Sequence, residues 1–277
     1  MDVLVTGGSG TVGSAILEGL ADHEAYSFTN LDLEGVDDPA VETAVADLRY
    51  YDEIRPHFDG VDAVIHLGYA PNERQRRAEQ AVVWSYAHAM SMHMTANVYR
   101  AAIDAGLDSV VYASSNHAVG MYEDRHAPEL YEPDYDLLVD HTVQPHPDSM
   151  YGTMKVYGES LGRMAAEYHD VGCYAWRICN VTDAERDTPG DYAAHLRERG
   201  IDPESDEYRE RIARKKAMWF SRRDVAHMVE CFLEDESVDF DVFYGVSDNE
   251  ARWFDIEHAR EVLGYDPADD GSAWDVP

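Results

Sequence analysis

A chain of 277 residues with 22 Lys and Arg against 55 Asp and Glu carries a formal charge of −33, which sets it against the phosphates of nucleic acids and the anionic faces of membranes as partners. No apolar run reaches the roughly 18–20 residues that span a bilayer, and three cysteines without a CxxC pair (Cys173, Cys179, Cys231) make neither a disulfide framework nor a zinc site. An apolar content of 45% excludes wholesale disorder, and with no basic segment ahead of an apolar leader, a cytoplasmic protein of a reducing compartment is expected.

Short β-branched runs alternate with helical stretches along the chain. Val3–Thr6 precedes a helix over Val12–Leu20, then come Tyr26–Leu31 and Val61–Leu67, and a long helix ending near Ala105. Ser109–Ser115 follows, then a helix over Ser149–Tyr168, the run Cys173–Cys179, a helix near Arg223–Leu233 and the run Val242–Ser247. The alternation predicts an α/β fold, a Rossmann-type doubly wound parallel sheet. Residues 1–180 read as its nucleotide-binding part, with 222–247 returning to the sheet, and 181–221 with 248–277 as a small C-terminal substrate lobe. Two stretches break the rhythm: Tyr122–Asp148, rich in Pro, Asp, His and Tyr, and the charged, helical Thr182–Lys216. With the C-terminal segment they are expected to cap one edge of the sheet.

The first strand runs into Thr6-Gly7-Gly8-Ser9-Gly10-Thr11-Val12-Gly13 and straight on into an amphipathic helix. Gly7, Gly10 and Gly13 permit a tight turn, close approach of the backbone to a pyrophosphate and tight helix–strand packing, with Thr11 and Val12 opening the helix. Turn glycines are common, but this placement between strand and helix gives the pattern its weight. Asp32 closes the second strand, where a carboxylate accepts both ribose hydroxyls of NAD and repels a 2′-phosphate. No arginine flanks it, so NAD is expected over NADP; the bland alternative is a surface Asp in an acid-rich chain.

Further along, Tyr151 and Lys155 are four residues apart and share a helical face. A phenol near pKa 10 is a poor base at neutral pH, and a neighbouring ammonium together with the positive nicotinamide ring would lower it. The chain has 18 tyrosines and only three lysines (Lys155, Lys215, Lys216), so about 0.2 such pairs would arise by chance. Upstream, Ser114 and Ser115 end a strand where a hydroxyl can hold a substrate oxygen.

In this order and over nearly the whole chain, the glycine loop, Asp32, Asp47-Leu48, His66-Leu67-Gly68, Ser114-Ser115 and Tyr151-x3-Lys155 resemble the extended short-chain dehydrogenase/reductases. The resemblance implies that Asp47 and Leu48 hold the adenine, that Leu67 lies along the cofactor, and that Ser115, Tyr151 and Lys155 are catalytic. Ala113 to Gly120, Tyr151 to Glu159, Arg177-Ile178, Arg214 with Met218 to Ser221, and Tyr244 to Asn249 are similar, within that family, to the uronate dehydrogenase and haloarchaeal NAD-dependent glucose-6-phosphate dehydrogenase branch. That branch implies oxidation of the anomeric carbon of an aldose to a lactone, an NAD cofactor, sugar contacts from Ser115, Asn116, His117 and Arg214, and a homo-oligomer. Near absence of lysine beside so many carboxylates matches a high-salt cytoplasm, where screening mutes self-repulsion.

The chain departs from the branch at Ser91, where an Asn is usual, at Met94, where a Gly is usual, and at Cys179, also a usual Gly. Ser91 bears on the proton relay, Cys179 on the carboxamide pocket. Arg211, Arg214, Lys215 and Lys216 form the one dense basic cluster, either an anion site or a salt-bridged helix. His88/His93 and His141/His146 lack metal-site spacing, so no metal is expected. Two other functions fit the same motifs: a nucleotide-sugar epimerase or dehydratase that recycles its NADH, and an NAD-sensing or scaffolding protein on a redundant fold.

Overall fold

In the computed structural model, which describes residues 1–36, 41–70 and 82–276, seven strands form a single parallel sheet. They are β1 (Asp2–Thr6), β2 (Ser27–Asp32), β3 (Glu42–Val45), β4 (Ala63–His66), β5 (Ser109–Ser115), β6 (Gly172–Ile178) and β7 (Phe240–Gly245). Their order across the sheet is β3-β2-β1-β4-β5-β6-β7. The order reverses between β1 and β4, so the crevice opens outside the carboxyl ends of these two strands, where open α/β sheets place their ligands. The edge strand β3 is absent from the sequence reading. Its four residues alternate weakly and none is buried, which leaves no apolar signature. Some residues of the ranges expected as domains, Pro277 among them, lie outside the described residues.

The central strands read as unbroken apolar runs because helices cover both faces. On one face, α1 (Thr11–Leu20) packs against a helix over Arg222–Glu234 around Ile16, Trp176, Phe220 and Phe232. On the other, α2 (Val82–Ala105) and α3 (Met150–His169) pack around Val98, Tyr99, Tyr112 and Cys173. A third core lies beyond the strand ends, where Val119, Leu130 and Val139 meet Cys179, Met218, Trp253 and Phe254. Val139 bridges to Phe254, so the 121–143 segment packs with the C-terminal residues. The charged stretch after β6 forms α4 (Pro189–Glu198) and α5 (Asp206–Met218), capped at their N-termini by Thr188 and Ser205; α6 is the Arg222–Glu234 helix and α7 spans Glu257–Leu263. No helix among the described residues is long and apolar enough to cross a membrane.

Candidate active site

The glycine loop joins β1 to α1. Gly13 has no alternative residue: a Cβ there would lie 2.4 Å from the Gly8 backbone. Buried Asn30 on β2 pins the loop by accepting from Gly8 N at 3.0 Å and donating to Ser9 Oγ at 3.3 Å. The α1 N-terminus has no side-chain cap and no acid in its first turn, so its free N–H groups and positive dipole end are available to an anion.

Two depressions meet at Gly7, Gly10, Leu67 and Tyr69. One, of about 290 Å³, is lined by Asp32, Asp47, Leu48, Gly68 and Met94. The other, of about 260 Å³, is lined by Thr11, Val12, Gly13, Ser115, Tyr151, Lys155 and Cys179. A bipartite cleft with a bare glycine floor and an uncapped helix end at its waist fits a dinucleotide. Asp32 is fixed by Ser9 N at 3.1 Å and Leu33 N at 2.7 Å. Asp47 is paired to Arg49, whose guanidinium and backbone hold its carboxyl below the usual range. Asn97 on α2 donates to Leu48 O at 2.9 Å. Thr11 turns its hydroxyl to Asp183, 2.6 Å away.

At the other end, Ser115 ends β5 and caps the short turn Asn116–Val119, its Oγ accepting from His117 N at 3.3 Å and approaching Asn116 Oδ1 at 3.4 Å. Helix α3 begins against this turn because residue 152 is glycine; a Cβ would lie 2.1 Å from His117 O. Tyr151 is thereby brought edge-on to the His117 ring, 5.6 Å between centroids, and to Tyr69 at 5.3 Å. Asp148 holds His117 Nδ1 at 2.6 Å, leaving Nε2 for a ligand. Four residues along α3, Lys155 is buried, donates to Ala113 O at 2.6 Å and lies 5.4 Å from the Tyr151 ring.

Burial pushes the Tyr151 phenol up to about 12, with the Ser115 hydroxyl opposing, and pushes the Lys155 ammonium down to about 8, with Glu159 opposing. In the protein without cofactor, desolvation is therefore the dominant influence on both groups. His66 is driven to about 3 by burial and then by Lys155, so it is a neutral link between Thr6 and Thr95, at 2.7 and 3.2 Å.

The next turn of α3 carries a residue that sequence reasoning left unassigned. Glu159 lies at four-residue spacing after Tyr151 and Lys155, and accepts from buried Arg177 through Nε and Nη2, each at 2.9 Å, and from Ser114 Oγ at 2.5 Å. The Tyr151, Lys155, Glu159 spacing was a usable signal; its partner on β6 was not. Ser91 accepts from Ala70 N and donates to Ala87 O, both at 3.1 Å, so it ties the loop after β4 to α2. Met94 lines the same depression as Asp32, and Cys179 lines the one that holds Tyr151.

Arg214 is not brought to the cleft lining with Ser115 and Tyr151. Its Nε and Nη2 are both engaged by Glu123, which also accepts from Tyr131 Oη at 2.8 Å. The pair stands behind Cys179, whose thiol burial raises first and Glu123 second, with Arg214 opposing. The basic cluster also disperses: Arg211 pairs with Glu207 at 2.8 Å, and buried Lys215 donates to Thr182 at 3.1 Å.

Residues 3–236 match the model of the NAD dependent epimerase/dehydratase family. The chain is 36% identical to an NAD-dependent glucose-6-phosphate dehydrogenase of Haloferax volcanii, over 98% of this chain and 94% of that one. It is 31% identical to an L-arabinose 1-dehydrogenase (NAD(P)(+)) of the same organism, over 98% and 97%. Uronate dehydrogenase from Agrobacterium tumefaciens superposes with a TM-score of 0.71 at 26% identity, over 98% of this chain and 86% of that structure. With the parallel sheet, the bipartite cleft and the Tyr151–Lys155 pair in place, these likenesses identify the chain as a member of the NAD-dependent epimerase/dehydratase family.

Proposed function

We propose that this protein oxidises the anomeric carbon of an aldose to its lactone with NAD. The observation that carries the reading is the convergence of Ser115, Tyr151 and Lys155 on one end of a cleft whose other end presents the glycine loop and Asp32, in a chain similar along its length to sugar dehydrogenases. NAD, when bound, supplies the hydride acceptor. Asp32 takes the adenosine ribose, Asp47 and Leu48 the adenine, and the Gly7–Gly13 loop with Thr11 and Val12 the diphosphate. Ser115 orients the anomeric hydroxyl, Tyr151 takes its proton, and Lys155 holds the ribose beside Tyr151 and supplies the positive charge. Because burial leaves the Tyr151 phenol high in the free protein, its lowering would accompany binding of the positive nicotinamide ring. Asn116 and His117, the latter aligned by Asp148, hold sugar hydroxyls.

The sugar would lie between the nucleotide-binding part, 1–180 with 222–247, and the lobe of 181–221 and 248–277. Glucose 6-phosphate or a hexuronate fits the relatives, with Arg214 as the anion contact. A second reading, a neutral-aldose dehydrogenase, is favoured by the Glu123 carboxylate already paired to Arg214, since a bound anion would face that carboxylate. The homo-oligomer implied by the family resemblance belongs to this reading, and the acid-rich, lysine-poor composition supports a salt-rich cytoplasm. The test is NADH accumulation with free aldoses, hexuronates and sugar phosphates in molar salt. Net NADH with a free sugar supports the dehydrogenase. NADH that never accumulates, with turnover of nucleotide sugars, returns the chain to the epimerases, and NAD binding without turnover of either leaves a sensing role.

A further inference from the structure

On the far side of β7 from α3, three residues widely separated in sequence come together. His141 lies in the loop after Val139, Asp241 near the start of β7, and His258 in the first turn of α7. The two imidazoles lie face to face, 3.5 Å between centroids and 11° from parallel, with Phe243 stacked on the other side of His258 at 5.2 Å. His258 Nε2 is 2.8 Å from Asp241 Oδ2, while the buried His141 Nδ1 has no hydrogen-bond partner among the described residues. One ligand atom from each of the three lies within 4.8 Å of the other two.

We propose that His141, Asp241 and His258 form a divalent transition-metal site outside the catalytic cleft. Two imidazoles and a carboxylate suit Zn²⁺, Ni²⁺ or Cu²⁺ far better than Mg²⁺ or Ca²⁺, which prefer all-oxygen shells. Tetrahedral bonds of about 2.0–2.1 Å place ligand atoms about 3.4 Å apart, so the trio closes by roughly an ångström while each ring turns about its Cβ–Cγ bond to aim a nitrogen at the ion. The positions themselves are well held. Val139 is hydrogen bonded on both sides, to Trp253 O at 2.7 Å and from Asp255 N at 3.1 Å, and Asp140 O accepts from Tyr244 Oη at 3.2 Å. A stack of two imidazoles with an orphaned buried nitrogen is otherwise a poor use of polar groups, whereas coordination satisfies it. With three protein ligands, water completes the shell, and the ion cross-links the 139–143 loop to β7 and α7.

The site is tested on the full chain with Zn²⁺ and Co²⁺ alone, in molar KCl and without NAD. Wild type should take up one equivalent of Zn²⁺, give the visible absorption of tetrahedral Co²⁺, and melt at higher temperature with Zn²⁺. His141→Ala, Asp241→Asn and His258→Ala should each lose affinity by about tenfold or more and lose the thermal gain. His141→Ala alters only a loop, so its circular dichroism spectrum separates lost binding from lost folding. Uptake that is equal in wild type and all three variants, or absent at about 100 µM Zn²⁺, overturns the proposal.

Discussion

The Asp32 end of the cleft and the wall around Cys179 are built by different means. Around Gly7 and Gly13, backbone position is set within a few residues by a strand, a turn only glycine can make and a helix, with Asn30 and Asp32 of the next strand tied to it. On the Tyr151 and Cys179 side, position is set by charged side-chain pairs 18, 91 and 31 residues apart in sequence: Glu159 with Arg177, Glu123 with Arg214, Asp148 with His117. The first kind of site tolerates a divergent sequence elsewhere. Of the pairs in the second, only Glu159–Arg177 is fully buried, where each member depends on its partner, while Arg214 and His117 keep 36% and 41% of their side chains exposed.

The largest expected effect falls where the two regions meet. Tyr151→Phe should lower kcat by about 10²–10⁴-fold while NAD affinity, measured by calorimetry, is retained, because only the phenolic oxygen is lost. Near-normal turnover would remove Tyr151 as the base.

Next comes the pairing that props the wall. Glu159→Gln leaves Arg177 buried without a counter-charge, and should cost about 3–5 kcal/mol in urea unfolding. It should also leave Lys155 still lower, since Glu159 is what opposes its desolvation. A loss below about 1 kcal/mol, the range of an exposed pair, would mean that the wall is not held electrostatically.

Glu123→Gln sharpens the substrate question. Freeing Arg214 should raise kcat/KM for an anionic sugar relative to its neutral analogue by about tenfold, the scale of one charge-assisted contact. An unchanged ratio would place Arg214 out of reach of the sugar.

The smallest effect is in pH. Burial brings Lys155 to about 8 in the folded protein against 10.5 for a free lysine, so between these values the unfolded chain binds more protons and folding strengthens as pH rises. Without NAD, wild type should therefore gain on Lys155→Met by about 1 kcal/mol from pH 8 to pH 9. Cys173 and Cys231, raised to about 12 by burial first, lose stability above the unfolded thiol value in both proteins, so they cancel. A flat difference would mean that Lys155 stays charged.

Legibility followed the same division. The doubly wound sheet, the glycine loop, Asp32 and the Tyr151–Lys155 spacing lie within short windows whose periodicity is readable. Strand β3 was lost because Glu42–Val45 buries nothing. Glu123 and Arg214 are 91 residues apart, and one chain shows no reason for them to meet, so the cluster of Arg214 read either as an anion site or as a salt-bridged helix, with Glu123 unforeseen. For Tyr151, spacing reveals that a lysine is near, but not that the phenol is buried and so held high in the protein without cofactor.

The central claim is that the cleft oxidises a free aldose. The most direct measurement follows NADH and sugar together in one reaction of wild-type protein with NAD, across neutral aldoses, hexuronates and sugar phosphates in molar salt. The account predicts one NADH for each aldose consumed, with an aldonolactone as the first product and no signal from Tyr151→Phe. Consumption of a nucleotide sugar without accumulated NADH, or no sugar consumed while NAD binds, would contradict it.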